Sequence, residues 1–185
     1  MNPAVATVRS GSRRKAAVFA VGIAVFFAAY TWLLDYQEAH VKAHLAELRT
    51  TDPDRYLSQI QTVVTFEQYL AEYGALKGYD QFRNAVPPFL LGRWALFPEP
   101  KRVSDSYVAN ECSNSISFQD GLVKISGEVV LSRLAKYRLD GTMVLLQLQP
   151  AADIAIRIVS YGNRLHHLEL DLPGFDGPRY GYLCK

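Results

Sequence analysis

Apolar and polar positions follow three successive patterns along the 185 residues of this chain. The first is an unbroken apolar run over 16–34 (AAVFAVGIAVFFAAYTWLL), which contains no charge and no proline. At 1.5 Å per residue, a helix of this length rises about 28 Å, close to the thickness of the hydrocarbon core of a bilayer. The run therefore predicts a single transmembrane helix over 16–34.

A cleaved signal peptide and a buried helix of a soluble protein are the alternatives for this run. A signal peptide has an apolar region of about 7–15 residues that ends in a small-x-small cleavage site. Ala28-Ala29 offers the beginning of such a site, but the large residues of 30–34 (YTWLL) follow at once. We therefore favour an uncleaved signal anchor.

The second pattern, over 35–88, has helical spacing and is rich in helix-forming residues. Apolar residues recur at every third or fourth position between 41 and 48, so the first helix is expected to continue beyond the membrane. Asp52-Pro53 indicates a restart, because aspartate suits an N-cap and proline suits the first helical position. We expect a helical stalk region over 35–88, with a second helix over 53–73 and a short helix over 79–86. Residues 62–66 are β-branched and aromatic, so a strand is the alternative there, but helix is favoured because the flanks are helical.

The third pattern consists of short β-type runs that alternate with turn signals from Phe89 to Lys185. The Asp-Gly pairs at 120–121 and 140–141 are typical of hairpin turns, and apolar residues alternate with other residues from Ile154 to Val159. Strands are predicted over 91–97, 115–118, 122–126, 143–148, 154–159, 165–172 and 180–184. Residues 127–138 are expected to form either one long, bulged strand or two pieces. Their regular spacing favours an antiparallel meander, either a curved sheet or a small barrel, and hence an α+β fold class.

Two segments of this β domain resemble lipocalin-like (calycin-type) domains. Residues 89–94 (FLLGRW), with Gly92 and Trp94, resemble the G-x-W opening strand of that family, and residues 116–121 (ISFQDG) resemble one of its hairpins. The resemblance covers about the last 95 residues. It implies an up-and-down barrel in which Trp94 packs at the closed end, and an apolar cavity that could hold a small apolar ligand.

The charges around the apolar run indicate how it would be oriented in a membrane. The basic residues of the segment 1–15 precede the run, whereas Asp35 and Glu38 follow it closely. Basic residues tend to remain on the cytoplasmic side, so we expect a cytoplasmic tail over 1–15 and a periplasmic or extracellular domain over 89–185. The residues that carry this prediction are Arg9, Arg13, Arg14 and Lys15.

Net charge and cysteine content limit which partners and which covalent cross-links the outer part of the chain can have. The net charge of +2 leaves the outer part nearly neutral, which argues against a nucleic-acid partner. The chain has two cysteines, Cys112 and Cys184, and both lie in the part expected to face an oxidising compartment. We expect a structural disulfide between them, with two free thiols as the alternative.

The sequence contains no nucleotide-binding, hydrolase or metalloprotease motif, so we expect neither an enzyme nor a cofactor. His40 and His44 share a helix face, with Glu47 one turn further on, and these three side chains could bind zinc. Solvated positions are favoured because no further ligand is evident. His166 and His167 are neighbours on a predicted strand, so their side chains are expected on opposite faces of the sheet.

Three functions remain open from the residues alone. The first is a non-enzymatic accessory, scaffold or assembly subunit, whose helix contacts a membrane-protein partner within the lipid bilayer. Small residues in the apolar run would allow close helix approach. The second is an anchored barrel that binds a lipid or another apolar ligand, which requires an interior cavity. The third is an enzyme of unrecognised type.

Overall fold

The structure, a computed structural model, describes residues 10–104, 107–149 and 153–185, with side chains from Val18 onward. The chain divides into two compact units, Met1–Asp52 and Pro53–Lys185. The first unit contains helix α1 (Ser10–Thr51). The second contains helices α2 (Pro53–Ile60) and α3 (Phe66–Lys77) and all the strands. The residues 53–88, assigned from the sequence to a stalk, therefore lie in the same unit as the β domain.

Helix α1 is a single element of 42 residues that carries the apolar run 16–34. It is long and apolar enough to cross a membrane, and none of the residues in its most apolar window is buried within the protein. The expected continuation of the helix beyond residue 34 is present, because the stretch up to Thr51 contains neither glycine nor proline. The helix ends at the predicted break before Pro53.

The predicted helix over 53–73 is wrong in one respect, because it is interrupted after Ile60 and begins again at Phe66. Thr65 is the N-cap of α3: its hydroxyl accepts a hydrogen bond from the Gln68 amide, and its own amide donates to the Gln68 side chain. This reciprocal capping box satisfies two amides at the new helix start. The helix ends at Gly78, whose φ of 69° is left-handed.

Eight antiparallel strands close into a barrel in which every strand pairs with its neighbours in sequence and β1 pairs with β8. This up-and-down barrel, together with the long apolar helix, confirms the predicted α+β class. The strands are β1 Gly92–Phe97, β2 Ser115–Gln119, β3 Leu122–Ser126, β4 Leu131–Asp140, β5 Met143–Gln149, β6 Ile154–Tyr161, β7 Arg164–Leu170 and β8 Arg179–Leu183.

Trp94 on β1 opposes both Ile116 on β2 and Leu183 on β8, and this double pairing completes the ring of strands. Side chains alternate between the interior and the exterior of the barrel, as expected from a strand period of two residues. The interior positions are occupied mainly by Ile, Leu, Val and aromatic residues, and these form the main core.

Residues 79–91 close one end of the barrel and contain no helix, so the short helix predicted over 79–86 is wrong. Arg83 instead forms an isolated antiparallel bridge with Tyr137 on β4. The Arg83 amide donates to the Tyr137 carbonyl at 2.9 Å, and the Tyr137 amide returns a bond to the Arg83 carbonyl at 2.7 Å. The segment is irregular rather than helical, because these long-range bonds to the barrel replace the local bonds of a helix.

A bulge in β7 overturns the prediction that His166 and His167 lie on opposite faces. Val159 on β6 pairs with His167, and the next residue, Ser160, pairs with Leu165. His166 is therefore an extra residue on β7 without a partner on β6. An extra residue interrupts the alternation of side chains, and the two imidazole rings consequently turn to the same side, where both contact Tyr182.

The connection between β1 and β2 folds against the outer face of the barrel and forms a second, smaller core. Ala95 and Tyr182 are buried there beside Ala109 of the connection. The Ala109 amide donates to the Leu183 carbonyl at 2.8 Å, which extends the hydrogen bonding of β8. This cover explains why residues on both faces of β1 are buried.

Candidate functional site

The barrel interior, where the lipocalin-like resemblance placed a cavity, is filled by side chains. Seven side chains of the strands have no solvent-accessible surface at all: Phe118, Val123, Tyr137, Val144, Leu146, Ile156 and Leu168. A side chain that lines a cavity large enough for a ligand would expose surface to a water-sized sphere within that cavity. The surroundings of these residues are therefore packed like an ordinary protein core.

Trp94 and Gly92 lie where β1 enters this packed barrel. Trp94 is 3% exposed, and its indole nitrogen donates a 2.9 Å hydrogen bond to the carbonyl oxygen of Leu90. Gly92 has a φ of 124°, which side-chain-bearing residues rarely adopt, and it allows the chain to turn from the end-closing segment into β1. The pair thus joins the segment 79–91 to the strands.

Cys112 and Cys184, the predicted pair, are joined by a disulfide, with their Cα atoms 6.3 Å apart. Cys112 lies in the connection between β1 and β2, and Cys184 directly follows β8. The bond therefore fastens the outer connection to the last strand.

Of the basic residues predicted to set topology, Arg9 lies outside the described residues, whereas Arg13, Arg14 and Lys15 lie near the start of α1, where the backbone alone is described.

Helix α3 carries an aromatic cluster that covers the same end of the barrel as the segment 79–91. Tyr69 and Tyr73, one turn apart on α3, have ring centroids 5.8 Å apart, and Tyr73 lies 5.5 Å from Tyr79. Phe89 meets the Tyr73 ring edge-on at 5.7 Å. Phe66 anchors the helix to the barrel, because its amide donates to the carbonyl of Gly162 at 3.0 Å.

The outer side of this cluster is an open groove of about 410 Å³, which we call the cap groove. Aromatic rings and Leu57 supply its apolar surface, and charged and polar side chains supply its rim. Lys77 pairs with the exposed carboxylate of Asp54, whereas Arg83 is exposed. The residues of the groove are Asp54, Leu57, Ser58, Gln61, Tyr69, Tyr73, Lys77, Tyr79, Arg83 and Pro88.

Burial raises the pKa of the three tyrosines in the cap groove above the ordinary value of 10. The pKa of Tyr73 is raised further by the neighbouring Tyr79, while Arg83 partly opposes the rise at Tyr79. All three hydroxyls are therefore protonated at neutral pH and offer hydrogen bonds rather than charge. With two cations and one carboxylate at the rim, the groove suits a ligand that combines apolar and anionic groups.

Sequence reasoning did not identify the cap groove. The spacing of Tyr69 and Tyr73 indicates a shared helix face, but nothing local shows that Tyr79 and Arg83 join them. These residues come together because the bridge between Arg83 and Tyr137 folds the segment 79–91 back against α3.

The described ranges 10–104, 107–149 and 153–185 contain no group of three or more His, Cys, Asp or Glu side chains that could hold a metal ion. His40 and His44 are exposed on α1.

Comparison with known proteins does not place this chain in a family. No family model, no curated protein and no solved structure matches it. The closed, eight-stranded antiparallel barrel agrees with the architecture implied by the lipocalin-like resemblance, but membership of that family is not supported by any match. The chain thus combines an apolar helix suited to a membrane with a capped barrel domain.

Proposed function

We propose that this chain is a single-pass membrane protein whose barrel domain lies outside the cytoplasm and acts as a non-enzymatic accessory, scaffold or assembly subunit of a membrane complex. The observation that carries the proposal is the filled barrel interior. Because these seven side chains leave no ligand space around them, the outer surfaces of the barrel domain are the better candidates for binding. The cap groove is such a surface.

The helix and the disulfide support the anchored, extracytoplasmic arrangement. The most apolar window of α1 has no buried residues, as expected for a segment surrounded by lipid. A disulfide is typical of an oxidising compartment, which agrees with an N-terminus in the cytoplasm and a barrel on the opposite side.

The partner that we propose is a membrane protein with an extracytoplasmic segment that presents a carboxylate beside apolar side chains. Such a segment would place its carboxylate near Arg83 and its apolar groups on the tyrosine rings of the cap groove. The alternative, an anchored barrel for a lipid or other apolar ligand, has the strand topology in its favour. It is less well supported because the interior lacks room around its central residues.

Purification from native membranes in a mild detergent, followed by protein and lipid mass spectrometry, tests this function. We expect a membrane protein at a fixed stoichiometry with the chain. Replacing Arg83 with glutamate should lower the recovery of that partner at least tenfold, because the backbone bridge to Tyr137 survives while the charge is reversed. Arg133→Glu is the matched control, since Arg133 is exposed and its guanidinium bonds the carbonyl of the adjacent Ser132.

Three other results of this purification would change or contradict the proposed function. A stoichiometric lipid without a protein partner would favour the ligand-binding alternative. Equal recovery with Arg83→Glu and wild type would remove the cap groove from the interaction. The absence of both a protein and a lipid at fixed stoichiometry would contradict the accessory function.

A further inference from the structure

The bulge in β7 creates a histidine pair whose geometry depends on its protonation. His166 Nδ1 lies 2.7 Å from His167 Nδ1, which is hydrogen-bond distance. One of these nitrogens must carry a hydrogen and the other must be unprotonated for the bond to exist. The ring centroids are 4.9 Å apart and the ring planes are nearly perpendicular, so the two Nδ1 atoms can approach each other without a clash between the rings.

The neighbouring carboxylate indicates which nitrogen carries the hydrogen. His167 Nε2 lies 3.9 Å from a carboxylate oxygen of Glu169, an arrangement that favours a hydrogen on Nε2. His167 Nδ1 is then the acceptor, and His166 Nδ1–H is the donor. His166 Nε2 is left unprotonated, and it is buried without a hydrogen-bond partner.

An additional proton has no favourable place in this arrangement. On His167 Nδ1 it would set two N–H groups head to head over 2.7 Å. On His166 Nε2 it would create a buried N–H donor without an acceptor, which costs free energy. Glu169 offers limited compensation because it is already paired with Arg157 at 3.2 Å. Protonation therefore favours separation of the two rings.

The histidine pair is linked through Tyr182 to residues 98–104, which we call the 98–104 segment. The His167 ring stacks on Tyr182 at 5.3 Å, and the His166 ring meets it edge-on at 5.8 Å. The Tyr182 hydroxyl accepts a 2.8 Å bond from the Lys101 amide and donates a 3.3 Å bond to the Lys101 carbonyl. The position of the Tyr182 ring therefore controls both backbone hydrogen bonds of Lys101 to its hydroxyl.

We propose that His166 and His167 form a pH-sensitive latch, which holds the 98–104 segment against the barrel when the pair is neutral and releases it when the pair is protonated. The latch requires the bulge, since an unbulged strand would place one of the two rings in the barrel interior. It acts within the barrel unit and does not depend on the proposed partner.

Every element packed around the pair contributes a titratable or charged group. From β6 come Arg157 and Tyr161, from β7 Glu169, from β8 Tyr180 and Tyr182, and from the β1–β2 connection Lys101 and Tyr107. Burial raises the pKa of Tyr182 above its ordinary value of 10, so the hydroxyl that holds Lys101 is neutral at the pH values concerned. Glu169 is the neighbouring group that opposes release, since its charge favours imidazolium.

The direction of the pH effect follows from burial. Burial lowers the pKa of His167 below its ordinary 6.5, the charge of His166 lowers it further, and Glu169 partly opposes both. A released, solvated imidazole therefore binds a proton more readily than a held one. The held state is fully stable above about pH 6.5 and loses stability as the pH falls below that value.

Hydrogen exchange of the full chain in detergent micelles tests the latch. We expect the protection factor of the Lys101 amide, corrected for intrinsic exchange, to fall at least tenfold between pH 7.5 and pH 5.0. Amides of β5 should keep their protection, which shows that the barrel remains folded. In His166→Gln/His167→Gln the protection of Lys101 should no longer depend on pH. His40→Gln/His44→Gln, which changes two exposed histidines on α1, is the control and should behave as wild type.

A second measurement needs no variant of the latch. In the wild type, NMR titration of the imidazole carbons should give an apparent pKa for His167 below its ordinary 6.5. Unchanged protection of Lys101 down to pH 5.0 would overturn the latch, and so would an equal loss of protection in His166→Gln/His167→Gln. An apparent pKa of His167 at or above its ordinary 6.5 would also overturn it.

Discussion

Trp94 and Leu90 are joined by a buried hydrogen bond across the junction of the segment 79–91 and strand β1. The indole nitrogen lies 2.9 Å from the Leu90 carbonyl oxygen, and both residues are almost inaccessible to solvent. The Trp94 indole thereby satisfies the buried carbonyl of Leu90, and its ring fills space inside the barrel.

Replacing Trp94 with phenylalanine should destabilise the barrel by about 2–3 kcal/mol. The estimate combines an unsatisfied buried carbonyl, roughly 1–3 kcal/mol, with the smaller ring left in a packed core. Urea unfolding followed by circular dichroism measures the change. Trp32→Phe is the matched control, because Trp32 is exposed on the apolar helix and should leave the unfolding midpoint of the barrel unchanged. Equal midpoints for the two variants would contradict the structural role of Trp94.

A methyl group at Gly127 should be much less tolerated than one at Gly177. Both glycines have positive φ, of 112° and 82°, so alanine is strained at each. At Gly127, however, a Cβ would overlap the Asn114 side-chain oxygen and lie 2.7 Å from the Ser113 carbonyl, whereas nothing lies within 4 Å at Gly177. Asn114 cannot easily move, because its side-chain oxygen accepts a 2.7 Å bond from the Glu128 amide.

We expect Gly127→Ala to cost at least about 2 kcal/mol more in free energy of unfolding than Gly177→Ala, a difference typical of overpacking. Thermal or urea unfolding of the two variants, measured side by side, gives this difference directly. If the two substitutions were equally destabilising, steric contact with residues 113–114 would not be the reason for glycine at position 127.

Replacing Cys112 and Cys184 together with serine should lower the free energy of unfolding by about 4 kcal/mol. The bond spans 72 residues of sequence, and a cross-link over a loop of this length restricts the unfolded chain to that extent. Urea unfolding of the oxidised wild type and the double variant measures the loss. Reduced wild type should resemble the variant, and a stability that is indifferent to reduction would contradict the role of the bond.

The orientation of the anchor can be tested with reporters fused after Lys185. An enzyme that is active only outside the cytoplasm should give activity, and one that is active only in the cytoplasm should not. Exchanging the basic residues 13–15 for glutamates, together with lysines in place of Asp35 and Glu38, should weaken or reverse this result. Activity of the cytoplasmic reporter in the wild type would contradict both the topology and the expected compartment of the disulfide.

The shared face of His166 and His167 shows where the local sequence pattern is insufficient to predict the direction of side chains. Strict alternation places neighbouring residues on opposite faces, and it describes β3 and β5 well. It fails on β7 because the extra residue is defined by pairing with β6, which depends on residues elsewhere in the chain. The same is true of residues 79–86, whose composition permits a helix but whose bonds go to β4.

The sequence by itself determined the apolar helix, the succession of strands and turns, and the antiparallel order, since each depends on the periodicity of nearby residues. It also indicated the cysteine pair through the expected compartment. Tertiary structure alone decided that the sheet closes, that its interior is filled, that α3 and the segment 79–91 build the cap groove, and that two histidines share one face. These features arise from strand register and from contacts between residues distant in sequence, which no local pattern encodes.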